Sequence, residues 1–378
     1  MTIETAAVTA FWAGALGVVY PYAGYPLVLA AIGRLVRRAA PPPAPLPAVT
    51  MIVPVHNEIV RLERKIANTL ALDYPPDRLR VVFVSDGSTD GSVELIRARG
   101  GSRVDVIELP ERGGKARALN AGLAAATGDL VVFTDASIML EPGSLRALVA
   151  PFADPAVGCV SGEDHIADGG GEGLYGRYEL FLRRLESHVH SIVGASGSFY
   201  AQRRTLCGTF PEGLAPDFLS VLRTVEQGYR ALAEPAARGT MTSVKDPRQE
   251  FDRKVRTLLR GMTALFAYPH LLNPFRYGLF AFALWSHKVL RWTVPFGLLL
   301  LLLAPLALLH RPFFVLALVA QAGFYLCGIG ALQGWGRLHE TLPGRIALYF
   351  SSVNAAILAA WVRYWSGVRQ ELWTPSSR

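Results

Sequence analysis

Residues 5–33 carry no charge, and Arg34, Arg37 and Arg38 follow at once. About 20 apolar residues cross a bilayer as a helix, so this run is long enough. The arginines follow the apolar run instead of preceding it, which argues against a cleaved signal. By the positive-inside rule residue 34 onward is cytoplasmic and the N-terminus lies outside. Three more apolar runs occupy residues 292–309, 312–336 and 346–362. The first two read as spans turning at His310-Arg311-Pro312. The third is short, and Arg363, Arg369 and Arg378 after it favour an inside C-terminus. It reads either as a span or as an interfacial helix.

Between these runs the pattern changes period. Residues 49–55, 80–84, 103–109 and 129–135 read as strands, the first, second and fourth as buried apolar runs. Segments 58–71, 90–99 and 115–126 read as helices. Such alternation implies a parallel sheet with helices on both faces, whose ligands sit at the carboxyl ends of the strands. The stretch R-K-V-R-T-L-L-R-G-M-T-A-L-F (253–266) spaces its arginines and apolar residues as an interfacial amphipathic helix, and 174–190 is a weaker version. A-A-P-P-P-A-P-L-P (39–47) is a stiff spacer. The expected organisation is a membrane helix (1–38), the linker (39–47), a cytoplasmic domain (48–250), interfacial helices (251–286) and C-terminal membrane helices with a tail (287–378).

The 378 residues are 51% hydrophobic with a net charge of +8. Residues 251–378 hold 13 Lys+Arg against 3 Asp+Glu, so the excess is concentrated in the apolar C-terminal part. Its basic residues flank apolar runs as membrane-proximal charges do, so nucleic acid is not an expected partner. Cys159, Cys207 and Cys327 lie far apart, a spacing of neither a zinc site nor a redox pair.

Candidate chemistry lies at strand ends. V-V-F-V-S-D-G-S-T-D-G-S (81–92) ends an apolar run in acids, glycines and hydroxyls. Asp90 could cap the following helix and Gly87 could make the turn, but neither role accounts for Asp86. Asp135 ends another strand, and Asp217 follows a Gly/Pro-rich stretch before a helix. G-G-K (113–115) lacks the spacing of a Walker loop. G-A-S-G-S (194–198) is one residue short of a hydrolase elbow. D-G-G-G-E-G (168–173) reads as a flexible loop.

Taken in order, V-P-V-H-N-E (53–58), S-D-G-S-T-D (85–90), G-K-A-R-A-L-N-A-G (114–122), F-T-D-A-S (133–137), G-x-S-G-S-F-Y-A (194–201), P-D-F (216–218) and R-K-V-R-T (253–257) resemble the motifs of a family. The resemblance is to membrane-bound synthases of glycosyltransferase family 2. These include the hyaluronan, chitin, cellulose and poly-N-acetylglucosamine synthases and related bacterial exopolysaccharide enzymes. It implies a GT-A-type, Rossmann-like α/β domain with a mixed sheet, inserted between transmembrane helices and accompanied by interfacial amphipathic helices. It implies an inverting transferase at the inner membrane that moves a sugar from a UDP-sugar to a glycan or lipid-linked acceptor for extracellular polysaccharide.

By the same resemblance Glu58 and Asp86 contact the uridine part, and Lys115 the diphosphate and sugar. Asp135 is the first acid of D-x-D and holds Mg²⁺ or Mn²⁺. Asp217 is the general base, and Arg253 and Arg256 match the first and fourth positions of Q-x-x-R-W. The chain departs from the pattern at Ser137, Pro216, Arg253 and Thr257. The absent tryptophan keeps a single-addition transferase open beside a polymerase. Two other classes are a catalytically inactive nucleotide-binding relative and a transporter. The apolar runs at 292–309 and 312–336 contain no acid or lysine of the kind transport sites often use.

Overall fold

The computed structural model describes residues 2–36, 44–166, 171–242 and 246–368. Arg37, Arg38, residues 39–43 of the proline-rich spacer, 168–170 of the glycine-rich stretch, Arg369 and Arg378 lie outside them.

The first apolar segment is α1 (Ile3–Val19), a π turn (Tyr20–Gly24) and α2 (Tyr25–Gly33). The domain follows as β1 (Val49–Val55), α3 (Ile59–Leu70), β2 (Leu79–Asp86), α4 (Ser92–Arg99), β3 (Val104–Leu109), α5 (Lys115–Ala124), β4 (Leu130–Thr134), β5 (Met139–Leu140), α6 (Ser144–Val149), β6 (Val157–Ile166), α7 (Gly171–Val189), β7 (Phe199–Arg203), α8 (Pro216–Glu226) and β8 (Arg230–Met241). Then come α9 (Pro247–Ala267), α10 (Pro274–Ala283), a π turn (Leu284–Val289), α11 (Leu290–Leu303), α12 (Pro312–Gln333) and α13 (Leu342–Trp365).

The described strands form one sheet in the order β3-β2-β1-β4-β7-β6-β8-β5. Its first part matches the alternation in the sequence. β3, β2, β1 and β4 are parallel, with Val55 paired to Ser85 and Asp86 to Leu109. β1 and β4 are buried along their whole length, as strands covered on both faces are. The parallel part read from the alternation is joined by β7, which runs antiparallel to β4, as the expected mixed sheet requires. β5 is likewise antiparallel to β8, while β6 and β8 are parallel. The sheet is therefore mixed. The glycine-rich stretch also differs from expectation, since α7 already begins at Gly171.

Four helices are long and apolar enough to cross a membrane among the described residues: Ile3–Gly33, Pro274–Leu308, Pro312–Gln333 and Leu342–Trp365. The run read at 292–309 is thus the later part of a longer one. Gly278, at φ 49°, breaks that helix near its start, a backbone conformation that glycine adopts without a Cβ clash. The amphipathic stretch 253–266 lies within α9. α13 runs beside it, with Lys254 Nζ 4.4 Å from the centre of the Tyr349 ring and the Phe266 ring 6.0 Å from that of Trp361.

Buried polar contacts fasten the domain to the membrane segments. Tyr25 donates to Glu186 Oε1 (2.9 Å), which also meets His287 Nδ1 (2.6 Å). Arg291 pairs with Glu179 and lies over the rings of Tyr22, Tyr175 and Tyr178. Removing one partner of such a pair leaves a buried charge unmatched, at a cost of about 3–5 kcal/mol, so these contacts fix how α7 seats on the membrane helices.

Candidate active site

The parallel strands bring several sequence-predicted residues to one edge of the sheet. Asp86, the last residue of β2, is 1% exposed and both its oxygens are engaged. The Gly113 amide donates to Oδ1 (2.7 Å) and the Gly114 amide to Oδ2 (2.8 Å). The strand end therefore holds the glycine loop that launches α5. Gly114 sits at φ 89°, where a side chain would be strained. His56 adds a contact from Nδ1 to the Asp86 carbonyl (2.6 Å), joining the ends of β1 and β2.

Asp90 serves two helices. It accepts the Ile59 amide at the start of α3 (2.9 Å) and the Ser92 amide at the start of α4 (3.1 Å). Glu58, the residue before α3, is buried and accepts from Arg61 (3.0 Å). Burial pushes its carboxyl above the ordinary range, against the pull of Arg61.

Lys115 is the first residue of α5. Its ammonium donates to Asp135 Oδ1 (2.5 Å) and to the Gly197 carbonyl (3.1 Å). Asp135 directly follows β4, and its amide donates to the Ser198 carbonyl (3.1 Å). The antiparallel pairing of Thr134 with Phe199 sets this contact and brings Gly197 beside Asp135. The G-A-S-G-S segment is a built turn. Ser196 donates to Asp164 (2.5 Å) and accepts the amides of Ser198 and Phe199 (both 3.1 Å).

Asp217 lies in the first turn of α8, behind Pro216 at a position where proline is well accommodated. Phe218, Leu219, Val221 and Leu222 anchor the helix in the core. A Cβ built on Gly197 would lie 3.5 Å from Asp217 Oδ2, so the glycine leaves that face of the carboxylate open. Burial raises the Asp217 carboxyl above the ordinary aspartate range, opposed first by the charge of Lys115. Lys115, Asp135, Gly197 and Asp217 line one recess of 10 Å³, with Pro54, Thr134 and Tyr200 among its other walls.

Glu58 and Asp86 do not line that recess. They stand at the neighbouring ends of β1 and β2. Arg253 and Arg256 lie on α9. Arg253 forks onto both oxygens of Glu250 (2.7 Å each). Arg256 is half-buried, and burial, then the charge of Arg253, lowers its pKa. Burial, then the charge of Arg256, lowers the pKa of Arg260 one turn further, against the charge of Asp217.

Lys65 escaped the sequence reading of the site. It is completely buried on α3 and donates to Thr134 Oγ1 (3.0 Å) and the Ile138 carbonyl (2.8 Å), bracketing Asp135. Burial lowers its pKa to about 7, although Asp135 acts in the opposite sense. Asn68, one turn on, exchanges two hydrogen bonds with the backbone of Leu140. The signal lay in the pattern: Leu62, Lys65, Ile66 and Thr69 form one buried stripe, so Lys65 occupies an apolar-face position.

The oxygens near Asp135 fit a hard divalent cation that substrate completes. The carboxylate of Asp135 and the Ser137 hydroxyl are oxygen donors, and among the described residues no group of three His, Cys, Asp or Glu could hold an ion alone. Mg²⁺ in particular is commonly bound by one or two carboxylates together with substrate phosphates.

Comparison with known proteins gives this geometry a context. Residues 50–207 match the model of glycosyl transferase family 2. A stretch of 123 residues is 31% identical to the poly-beta-1,6-N-acetyl-D-glucosamine synthase of Staphylococcus aureus (strain COL), covering 32% of this chain and 29% of that protein. The probable glycosyltransferase YdaM of Bacillus subtilis (strain 168) is 27% identical over 211 residues, 51% of this chain and 50% of its own length. The matches thus span half or less of these two relatives. The structure of the mannosyltransferase PcManGT from Pyrobaculum calidifontis in complex with GDP-Man and Mn²⁺ superposes with a TM-score of 0.72 and 27% identity, over 97% of this chain and 99% of that one.

Proposed function

We propose, from the premise that the chain carries a glycosyl transferase family 2 domain at residues 50–207, that it transfers a sugar from a nucleoside diphosphate donor to an acceptor hydroxyl at the cytoplasmic face of the inner membrane. The observation that carries this reading is the shared recess of Lys115, Asp135 and Asp217 at the carboxyl ends of parallel strands. A carboxylate to take a proton, a cation and a metal-competent carboxylate are the groups that displacement of a diphosphate requires.

Asp217 takes the proton of the attacking hydroxyl. A positioned base of this kind contributes about 10²–10⁴-fold in rate. Lys115 donates to the departing diphosphate, where a charge-assisted bond is about twice as strong as a neutral one. Asp135 and Ser137, with the diphosphate, would hold Mg²⁺ or Mn²⁺, which would stabilise the charge developing on the phosphates. Direct displacement without an enzyme nucleophile inverts the anomeric centre. Glu58 and Asp86 border the nucleoside end, and Arg253 and Arg256 the α9 side.

The donor reading is a UDP-sugar and the acceptor a glycan or a lipid-linked sugar, serving extracellular polysaccharide. A GDP-sugar is the second reading, supported by the full-length similarity to the Pyrobaculum mannosyltransferase. Incubating the detergent-solubilised chain with UDP- and GDP-sugars and Mn²⁺, and measuring nucleoside diphosphate release, tests both. Release with neither class would defeat the transferase reading. The cytoplasmic placement is tested separately. A cysteine at the exposed Ser102 should resist an impermeant thiol reagent added to intact cells, and labelling there would reverse the topology.

A further inference from the structure

Asp135 carries the metal in the proposed mechanism, yet its Oδ1 meets Lys115 Nζ at 2.5 Å. The same ammonium reaches the Gly197 carbonyl at 3.1 Å. These two hard oxygens come from residues flanking different strands, Asp135 just after β4 and Gly197 just before β7, and converge on one point. A cation already sits at that point. We propose that Lys115 is a placeholder cation: it occupies the metal position on Asp135 in the empty enzyme and moves to the diphosphate when nucleotide and metal enter together. This rests on the reading of Asp135 as the metal residue.

Three features make the exchange workable. The base of Lys115 is fixed, because Asp86 holds the amides of Gly113 and Gly114 just before it. The ammonium is carried on a flexible four-carbon stem, and the side chain is 15% exposed. The carboxylate it leaves stays in place, because Lys65 brackets Asp135 through Thr134 and Ile138 from a position with no exposure at all. Lys65 thus belongs to the frame and Lys115 is the exchangeable partner.

The sequence supplies the reason for such a device. Ser137 stands where the family motif has a second acid, so Asp135 is the site's one motif carboxylate. The Lys115 ammonium sets a positive charge directly on it. A bare divalent ion must displace Lys115 and gains one carboxylate in return. With a diphosphate present, the released ammonium has a new anion to bind, and the ion gains phosphate oxygens. Metal and nucleotide then assist each other, and the coupling is reciprocal because it is a linkage of binding free energies.

The test is Mn²⁺ binding to the full-length, detergent-solubilised protein, read as free Mn²⁺ by electron paramagnetic resonance without nucleotide, with UDP and with GDP. The wild type should bind Mn²⁺ at least about tenfold more tightly with the nucleotide that it uses. Lys115→Met should bind Mn²⁺ without nucleotide at least about tenfold more tightly than wild type, since the competing charge is gone, and should lose most of the nucleotide effect. Lys115→Arg keeps the cation and should stay weak, which controls for folding. The gain should vanish in Lys115→Met combined with Asp135→Ala. Unchanged Mn²⁺ affinity in Lys115→Met, with binding still abolished by Asp135→Ala, would overturn the placeholder alone. Undiminished Mn²⁺ binding in Asp135→Ala would overturn the metal site on which it rests.

Discussion

The carboxylate of Asp86 and the amide of Gly114 meet at 2.8 Å, tying the end of β2 to the loop that presents Lys115. With the Gly113 bond, one buried acid fixes two backbone amides. Asp86→Ala removes both acceptors from a buried site, at a cost of about 1–3 kcal/mol for each unsatisfied group. The expected result is a lower thermal midpoint and weaker nucleotide binding, seen by calorimetry. Wild-type values for both would remove Asp86 from the support of the loop.

Asp217 sets a pH dependence with a definite sign. Burial raises its pKa, and Lys115 opposes that. The base works ionised, so transfer should fall as pH drops through the raised value. The acid limb of kcat/KM should lie above the ordinary aspartate range near about 3.9. Lys115→Met removes the stabilising cation and should move that limb to higher pH, whatever it does to the height of the profile. A limb that moves lower would contradict the assignment.

Gly197 faces the same carboxylate. A methyl at this position would touch Asp217 Oδ2 at 3.5 Å, an ordinary contact distance. Gly197→Ala should therefore fold normally and retain nucleotide affinity. It should lose about tenfold or more in transfer, because the methyl covers the face of the carboxylate that the acceptor hydroxyl must approach. Equal loss of nucleotide affinity would place the acceptor elsewhere.

On α9 the two arginines differ in their attachments. Glu250 holds Arg253 on both oxygens, whereas burial acts on Arg256. Arg256→Ala should reduce nucleotide-dependent activity more than Arg253→Ala, with the loss persisting at high salt. Equal mild losses that disappear with salt would make both of them membrane-surface charges.

The legible part of this fold was the part whose physics is local. β1, β2 and β4 are buried on both faces and read directly as apolar runs. β6 and β8 did not, because Glu163, Asp164 and His165 end one and Pro235 and Gly239 interrupt the other. Their pairing is set by long-range register, as is the β4–β7 pairing that carries Gly197 to Asp135. The sequence marked Lys115, Asp135 and Asp217 by motif, but the 2.5 Å pairing of the first two is a tertiary fact. Lys65 was visible as a lysine on the buried stripe of an amphipathic helix. Its target, the backbone around Asp135, was not.

The most direct measurement of the proposed chemistry is single-turnover transfer by Asp217→Asn, with nucleotide affinity measured on the same preparation. The amide matches the carboxylate in shape but cannot take the proton of the acceptor. Transfer should fall by about 10²–10⁴-fold while affinity for the nucleoside diphosphate and Mn²⁺ stays within about twofold. Full transfer by Asp217→Asn would contradict the assignment of the base, and loss of nucleotide binding would make Asp217 part of the donor site instead.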